Sequence, residues 1–303
     1  MTLLTPEIRA WITESLGAAA QITRAERLAG STSTTLVALD VTQGAITHAL
    51  VVRLFDNQVW LANEPDLAPH EAANLLKASA IPTPTPDLIA VDEDGSACGL
   101  PAVLMTRLPG SVRLIPDDLD TWLRELAEAI APLHHVDPGD HRWTYAPYTD
   151  VARLRVPEWS AQPALWAQAI ERVQGAWPPY AERFIHRDYH PMNVLWNGDR
   201  VSGIVDWPNA CRGPAGIDPA WCRMSLSHSH GLDAADRFLD HFCAIAGPDF
   251  TYDPFWDLIV IVEFLPGPPA VHPPWEHFGL RISATVMRER LESYLVSLMA
   301  RLA

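Results

Sequence analysis

The 303 residues are 48% hydrophobic and 19% charged, with 12 tryptophans, enough apolar surface to offset the entropy of ordering an enzyme-sized chain, which excludes a disordered protein. A formal net charge of −15 excludes a nucleic-acid or anionic-membrane partner, because both require a basic face that displaces counterions. Such a charge suits a cationic small molecule, and an acidic surface kept for solubility accounts for it equally well.

In chain order, Thr5 and Pro6 read as the cap and first residue of a helix whose apolar face is Ile8, Trp11, Ile12 and Leu16, closed by Gly17. Alternating segments at 21–28, 35–41 and 46–55 follow, the last two joined by a Gln43-Gly44 turn, so a β-meander is expected. A short helix over 69–79 precedes the run Ile81-Pro82-Thr83-Pro84-Thr85-Pro86, which its prolines keep extended. Two further strands, 88–91 and 102–106, end at Leu108-Pro109-Gly110, where a lobe boundary is expected. Beyond it, apolar spacings of three and four predict helices over 119–134, 163–173, 233–246 and 282–303. The exception is a hairpin, strands 194–196 and 201–206 around Asn197-Gly198, a pair that tolerates positive φ.

No stretch has the basic start and apolar core of a secretory signal, and the strongest apolar run, 258–262, is closed off by Asp257 and Glu263. The four cysteines form no CxxC pair, and Cys98, Cys211 and Cys222 read as packing residues with reduced thiols. A cytoplasmic protein, a monomer or simple homodimer, is expected. Of 22 basic residues only Lys77 is a lysine.

The chemistry sits in His186-Arg187-Asp188-Tyr189-His190-Pro191-Met192-Asn193, which fits the pattern H-R-D-x-x-x-x-N. Four specified positions match by accident in about two chains per thousand of this length, at roughly 5% per residue type. Thirteen residues on, across the predicted hairpin, Asp206 follows Gly203-Ile204-Val205. Phosphoryl transfer asks mainly for positioning and charge neutralisation; Mg²⁺ supplies much of the latter and takes one or two protein oxygens, which an asparagine amide and an aspartate provide. Asp188 is then placed to take the proton of an acceptor hydroxyl.

Here the sequence resembles the aminoglycoside phosphotransferase and choline kinase superfamily, most specifically over residues 184–223 with Asp206-Trp207 as its metal strand. The resemblance implies a bilobal, protein-kinase-like α+β fold: a small antiparallel β lobe with one or two helices, residues 1–108, and a larger, mainly helical lobe, 109–303. It implies ATP or GTP as donor, Asp188 as base, and Asn193 and Asp206 as magnesium ligands. Asp218 would brace the loop with Arg223 as its partner, a helix cap being the other reading, and His186 would be a packed anchor. Arg187 stands where the family usually has glycine.

Nucleotide contacts are expected from Gly30, Ser31, Thr32 and Ser33, a loop that either covers phosphates or is an ordinary hairpin turn. Arg53, on the third strand, takes the place of the kinase lysine, with Glu71 as its partner. The adenine edge is expected at Met105 to Arg107. For a cationic acceptor the candidates are Asp257, Glu263 and Trp256, although Glu263 reads as well on a solvated helix side. The acceptor stays open between an antibiotic and choline, homoserine or a sugar. A nucleotide-binding pseudokinase-like regulator is opposed by the complete set Asp188, Asn193 and Asp206, and a metal-dependent hydrolase leaves Arg53 and Glu71 unexplained.

Overall fold

The computed structural model describes residues 3–17, 19–30 and 33–302. Two compact units emerge, Met1–Gly110 with Ser202–Asn209, and Ser111–Val201 with Ala210–Ala303. Among the described residues no helix is long and apolar enough to cross a membrane.

In the first unit, α1 (Pro6–Leu16) begins where the Thr5 hydroxyl accepts the Ile8 N–H and ends at Gly17, whose φ of 109° lets its N–H turn back to the last carbonyls. Strands β1 (Ala20–Arg27), β2 (Thr35–Gln43), β3 (Ile46–Leu54), β4 (Leu88–Asp92) and β5 (Ala102–Thr106) form one antiparallel sheet in the order β1-β2-β3-β5-β4. Leu50, Val52 and Leu54 join Val37, Leu39 and Val41 in the core beneath Ile8, Trp11 and Ile12 of α1. Because strand side chains alternate, Val51 and Arg53 of β3 point to the other face, and they too are buried. After the short α2 (Gln58–Asn63), α3 (Leu67–Ala78) buries Glu71 and Asn74.

Residues 202–209 belong to this unit through particular contacts. Ile204 N–H donates to the Pro84 carbonyl at 2.9 Å, and Asn74 donates to the Trp207 carbonyl at 2.7 Å. A Cβ at position 203 would lie 2.8 Å from the Pro84 oxygen and against Leu108, so glycine is required by close approach.

The second unit is mainly helical. Its strands are short: β6 (Ser111–Val112), β7 (Glu182–Ile185), β8 (Val194–Asn197), β9 (Arg200–Ile204), which ends in the first unit, and β10 (Cys211–Pro214). β7 pairs with β10, and β6-β8-β9 form a three-stranded sheet. The expected hairpin is present, with Gly198 at φ 61°. The helices are α4 (Leu119–Ile130), continued by a 3₁₀ turn to His135, α5 (Pro163–Gln174), α6 (Ile217–His230), α7 (Leu232–Ala246), α8 (Phe255–Ile261), α9 (Pro274–His277) and α10 (Ala284–Arg301). The last helix was expected to run to Ala303, which lies outside the described residues.

Helix α6 is buried along nearly its whole length, Ile217, Ala220 and Met224 packing with Trp166, residues 258–262, Leu291 and Leu295. Arg223 lies inside this core and pairs with Asp257 of α8 and with Asp236 of α7 at 2.7 Å; the Tyr294 hydroxyl donates to Asp257 at 2.6 Å. Two sequence expectations are corrected here. Arg223 does not partner Asp218, since five residues along a helix turn a side chain by about 140°. Asp257 is fully buried against Arg223, so it is not an acceptor contact. Trp256 is buried as well, its ring packed on bare Gly216 backbone with no room for a Cβ.

Removing one member of such a buried pair strands the other. Asp257→Ala is expected to cost about 3–5 kcal/mol, read as a lower urea midpoint with unchanged m-value.

Candidate active site

Strand β7 delivers the chain into the loop from His186 to Asn193, and one carboxylate sets the loop's shape. Asp218, fully buried in the first turn of α6, accepts the backbone N–H of His186 at 3.0 Å and of Arg187 at 2.7 Å, with His134 Nε2 at 2.9 Å from its Oδ2. Arg187 takes φ 68°, a left-handed conformation that costs a non-glycine residue roughly 1–2 kcal/mol. The loop is then fastened residue by residue. His186 is fully buried, edge-on to Tyr189, and the Tyr189 hydroxyl donates to the Leu126 carbonyl at 2.7 Å.

Pro191 to Asn193 form a 3₁₀ turn capped by His190, whose Nδ1 accepts the Met192 N–H at 3.3 Å. Asn193 Nδ2 donates to the Asp188 carbonyl at 2.9 Å, which fixes the amide and leaves its oxygen as the end that can face a metal. His190 Nε2 lies 3.5 Å from Asp188 Oδ1. The positions of His190 and His134 beside the two key aspartates were not read from sequence. The one signal available for His190 was its place inside the motif; His134, 84 residues before Asp218, gave none.

In the first unit, Arg53 is the centre. Its Nε pairs with Glu71 at 2.9 Å, its Nη2 with Asp206 at 2.7 Å, and its Nη1 donates to Thr34 at 3.1 Å. Burial raises the Glu71 carboxyl to about 7; the Asp206 charge adds to this and Arg53 opposes it. Asp206 is 36% exposed and, like Arg187, sits at positive φ, 73°. Asp206 in the first unit and Asn193 in the second each carry the kind of hard oxygen donor that magnesium accepts. Among the described residues no group of three or more His, Cys, Asp or Glu gathers as a transition-metal site would require.

The remaining expectations fare differently. Gly30, at φ 102°, and Ser33 flank Ser31 and Thr32, which lie outside the described residues. Met105 is buried between its partners Val51 and Leu88, the N–H groups of Thr106 and Arg107 are committed to the Asp87 and Ala49 carbonyls, and the Arg107 side chain pairs with Asp40 at 2.6 Å. Sheet pairing therefore takes the amides of Thr106 and Arg107 that the adenine edge was expected to meet. Glu263 is partly exposed, and its carboxylate accepts the N–H of Tyr148 at 2.9 Å and of Thr149 at 2.8 Å.

A model of the phosphotransferase enzyme family matches residues 24–255. The chain belongs to that family. Among curated relatives, the homoserine kinase of Rhodopseudomonas palustris (strain HaA2) is 30% identical over 188 residues, 55% of each chain. That of Allorhizobium ampelinum is 27% identical over 217 residues, 65% of each. The chain thus spans about half to two thirds of the length of these relatives.

Solved structures of the family share the protein-kinase-like α+β fold. A putative aminoglycoside phosphotransferase of Ralstonia eutropha superposes with TM-score 0.62 at 16% identity, covering 97% of this chain and 98% of that one. The macrolide 2′-phosphotransferase of Brachybacterium faecium gives 0.55 at 14%, covering 88% and 91%. An aminoglycoside phosphotransferase complexed with ADP and hygromycin B gives 0.60 at 15%, covering 96% and 98%.

A carboxyl whose pKa rises from 4.5 to about 7 on folding binds its proton more tightly in the folded state. Its stability contribution is therefore full below pH 4.5 and is lost as pH rises through 7. Glu71→Gln is expected to shrink the loss of unfolding free energy between pH 5 and pH 8, measured by urea titration beside the wild type.

Proposed function

We propose that this phosphotransferase-family chain is an ATP- or GTP-dependent kinase that phosphorylates a hydroxyl of a small molecule. The observation that carries the reading is the bracing of the loop by Asp218, which holds Asp188 by its neighbours' amides and leaves its carboxylate partly exposed at the loop surface.

In this reading the Asp188 carboxylate orients the acceptor hydroxyl and takes its proton. The acceptor oxygen forms its bond to the γ-phosphorus as the bond to the β,γ-bridging oxygen breaks, and a nucleoside diphosphate leaves. Asn193 and Asp206 would each offer magnesium an oxygen ligand, and the chemistry the ion would supply there is neutralisation of phosphate charge. Arg53, oriented by Glu71, grips phosphate oxygens with a planar fork of donors. Gly30 and Ser33 belong to the phosphate-covering loop, and His186 and Asp218 hold the base in place.

The acceptor class is supported in two directions. The solved relative bound to hygromycin B favours an antibiotic-like acceptor, and a resistance role follows from it. The homoserine kinases, with higher identity over part of the chain, favour a small metabolic alcohol as the second reading. A cytoplasmic monomer or simple homodimer with reduced thiols and access to nucleoside triphosphate suits either.

Asp188→Ala is expected to reduce transfer by at least about 10³-fold, consistent with loss of general base and positioning, with Mg-ATP affinity within about threefold. Arg53→Ala should weaken nucleotide binding, and Asp206→Ala should remove both turnover and its magnesium dependence. Normal Mg-ATP affinity by calorimetry in both of these variants would overturn the assignment of the nucleotide side.

A further inference from the structure

The acidic residues considered for a cationic acceptor are otherwise engaged: Asp257 is buried on Arg223, and both oxygens of Glu263 hold backbone N–H groups. What the residue before Asp188 meets is aromatic. Tyr148 is 45% exposed, yet it is fixed at several points. Glu263 holds its N–H and that of Thr149, the Arg187 guanidinium lies 4.2 Å from its ring centroid, and its edge meets Trp221 at 6.0 Å and 70°. Arg187 also donates to the Ala146 carbonyl at 2.8 Å and lies 5.8 Å from the Tyr145 ring. An ordinary surface tyrosine needs none of this.

Arg187 immediately precedes Asp188 and occupies the left-handed conformation that glycine would adopt without strain. A conformational cost of roughly 1–2 kcal/mol is retained for a side chain that reaches Tyr145, Ala146 and Tyr148. Burial raises the Glu263 carboxyl, and the hydrogen bonds from Tyr148 and Thr149, with the Arg187 charge after them, oppose that rise. Packing around its hydroxyl end raises the Tyr148 phenol well above its ordinary value although the residue as a whole is 45% exposed; Arg187 opposes the rise and Asp188 adds to it, which places the phenol within electrostatic reach of Asp188.

Resting on the transferase reading, we infer that Tyr148, backed by Arg187 and cornered by Trp221, is the stacking wall of the acceptor site. It selects an acceptor that lays an uncharged sugar or aryl ring face against it and offers that ring's hydroxyl to Asp188. An aromatic wall recognises by area and shape, and aromatic faces suit ring C–H and π surfaces while contributing little to a short flexible alcohol. Tyr148 is thus a specificity-determining residue and Arg187 a positioning residue.

The test presents the whole chain with Mg-ATP and, separately, neutral aryl and alkyl glucosides, hygromycin B, L-homoserine and choline, reading phosphate gain by mass spectrometry and then kcat and KM. The neutral glucosides are expected to be phosphorylated with higher kcat/KM than homoserine or choline. Tyr148→Ala should raise their KM about tenfold or more with kcat, Mg-ATP affinity and Tm close to wild type. Tyr148→Phe should restore KM, since the ring and not the hydroxyl does the stacking. Arg187→Gly, which relieves the backbone, should raise KM similarly without lowering Tm.

Preference for homoserine or choline, transfer to hygromycin B without the glucosides, an unchanged KM in Tyr148→Ala, or a Tyr148→Phe variant as impaired as Tyr148→Ala would each overturn the inference and leave the kinase reading standing. Phosphate gain on none of the probes, with Mg-ATP still bound, overturns the kinase reading and the inference together.

Discussion

A single buried carboxylate determines the loop on which the chemistry depends. Asp218 has no exposed surface, and its charge is tolerable because two loop amides and His134 point at it and because it sits in the first turn of a helix, where the peptide dipoles also favour an anion. The loop backbone must come to those oxygens, and this draws Arg187 into a left-handed turn and carries Asp188 past it. Around that turn His186, Tyr189, Met192 and Asn193 are buried, so Asp188 is a partly exposed polar residue on an otherwise immobilised segment. The position of Asp188 is thereby fixed from a helix 30 residues further along the chain.

Both units solve the problem of a buried cation in the same way. Arg53 is shared by Glu71 and Asp206, and Arg223 by Asp257 and Asp236. A guanidinium has five donors in a plane and can satisfy two carboxylates at once, whereas an ammonium concentrates its charge at one point and loses it more readily on burial. The near-absence of lysine is therefore in keeping with the interior of this protein and with more than its surface.

The first unit was the more legible in sequence. Its strands alternate, its turns carry glycine, and its first helix has a hydroxyl cap, so local chemistry and tertiary structure agree. The loop from His186 to Asn193 stood out as a motif for the same reason: spacing within eight residues is local information. Helix α6 was not, because a helix buried on every side has no polar face to impose a 3.6-residue period. The short pair β7-β10 is defined by a partner 26 residues away, Ile185 against Cys211, and not by its own pattern. The partner of Arg223 was misread because Asp218 was near in sequence, while Asp257 and Asp236 are near only in the fold. Glu263 showed itself as a charge interrupting an apolar run, but what it holds, the amides of Tyr148 and Thr149, lies more than 110 residues earlier.

The arginine on β3 has a further consequence for how the protein can be detected. Acylating derivatives of ATP mark kinases by transferring their acyl group to an amine beside the phosphates, and a guanidinium that stays protonated at any physiological pH is no nucleophile for that reaction. The single lysine, Lys77, occupies the last turn of α3, some six residues beyond the glutamate that pairs with Arg53. On the proposed kinase reading, amine-directed labelling would pass this chain over, and reversible nucleotide resins are the means suited to capture it.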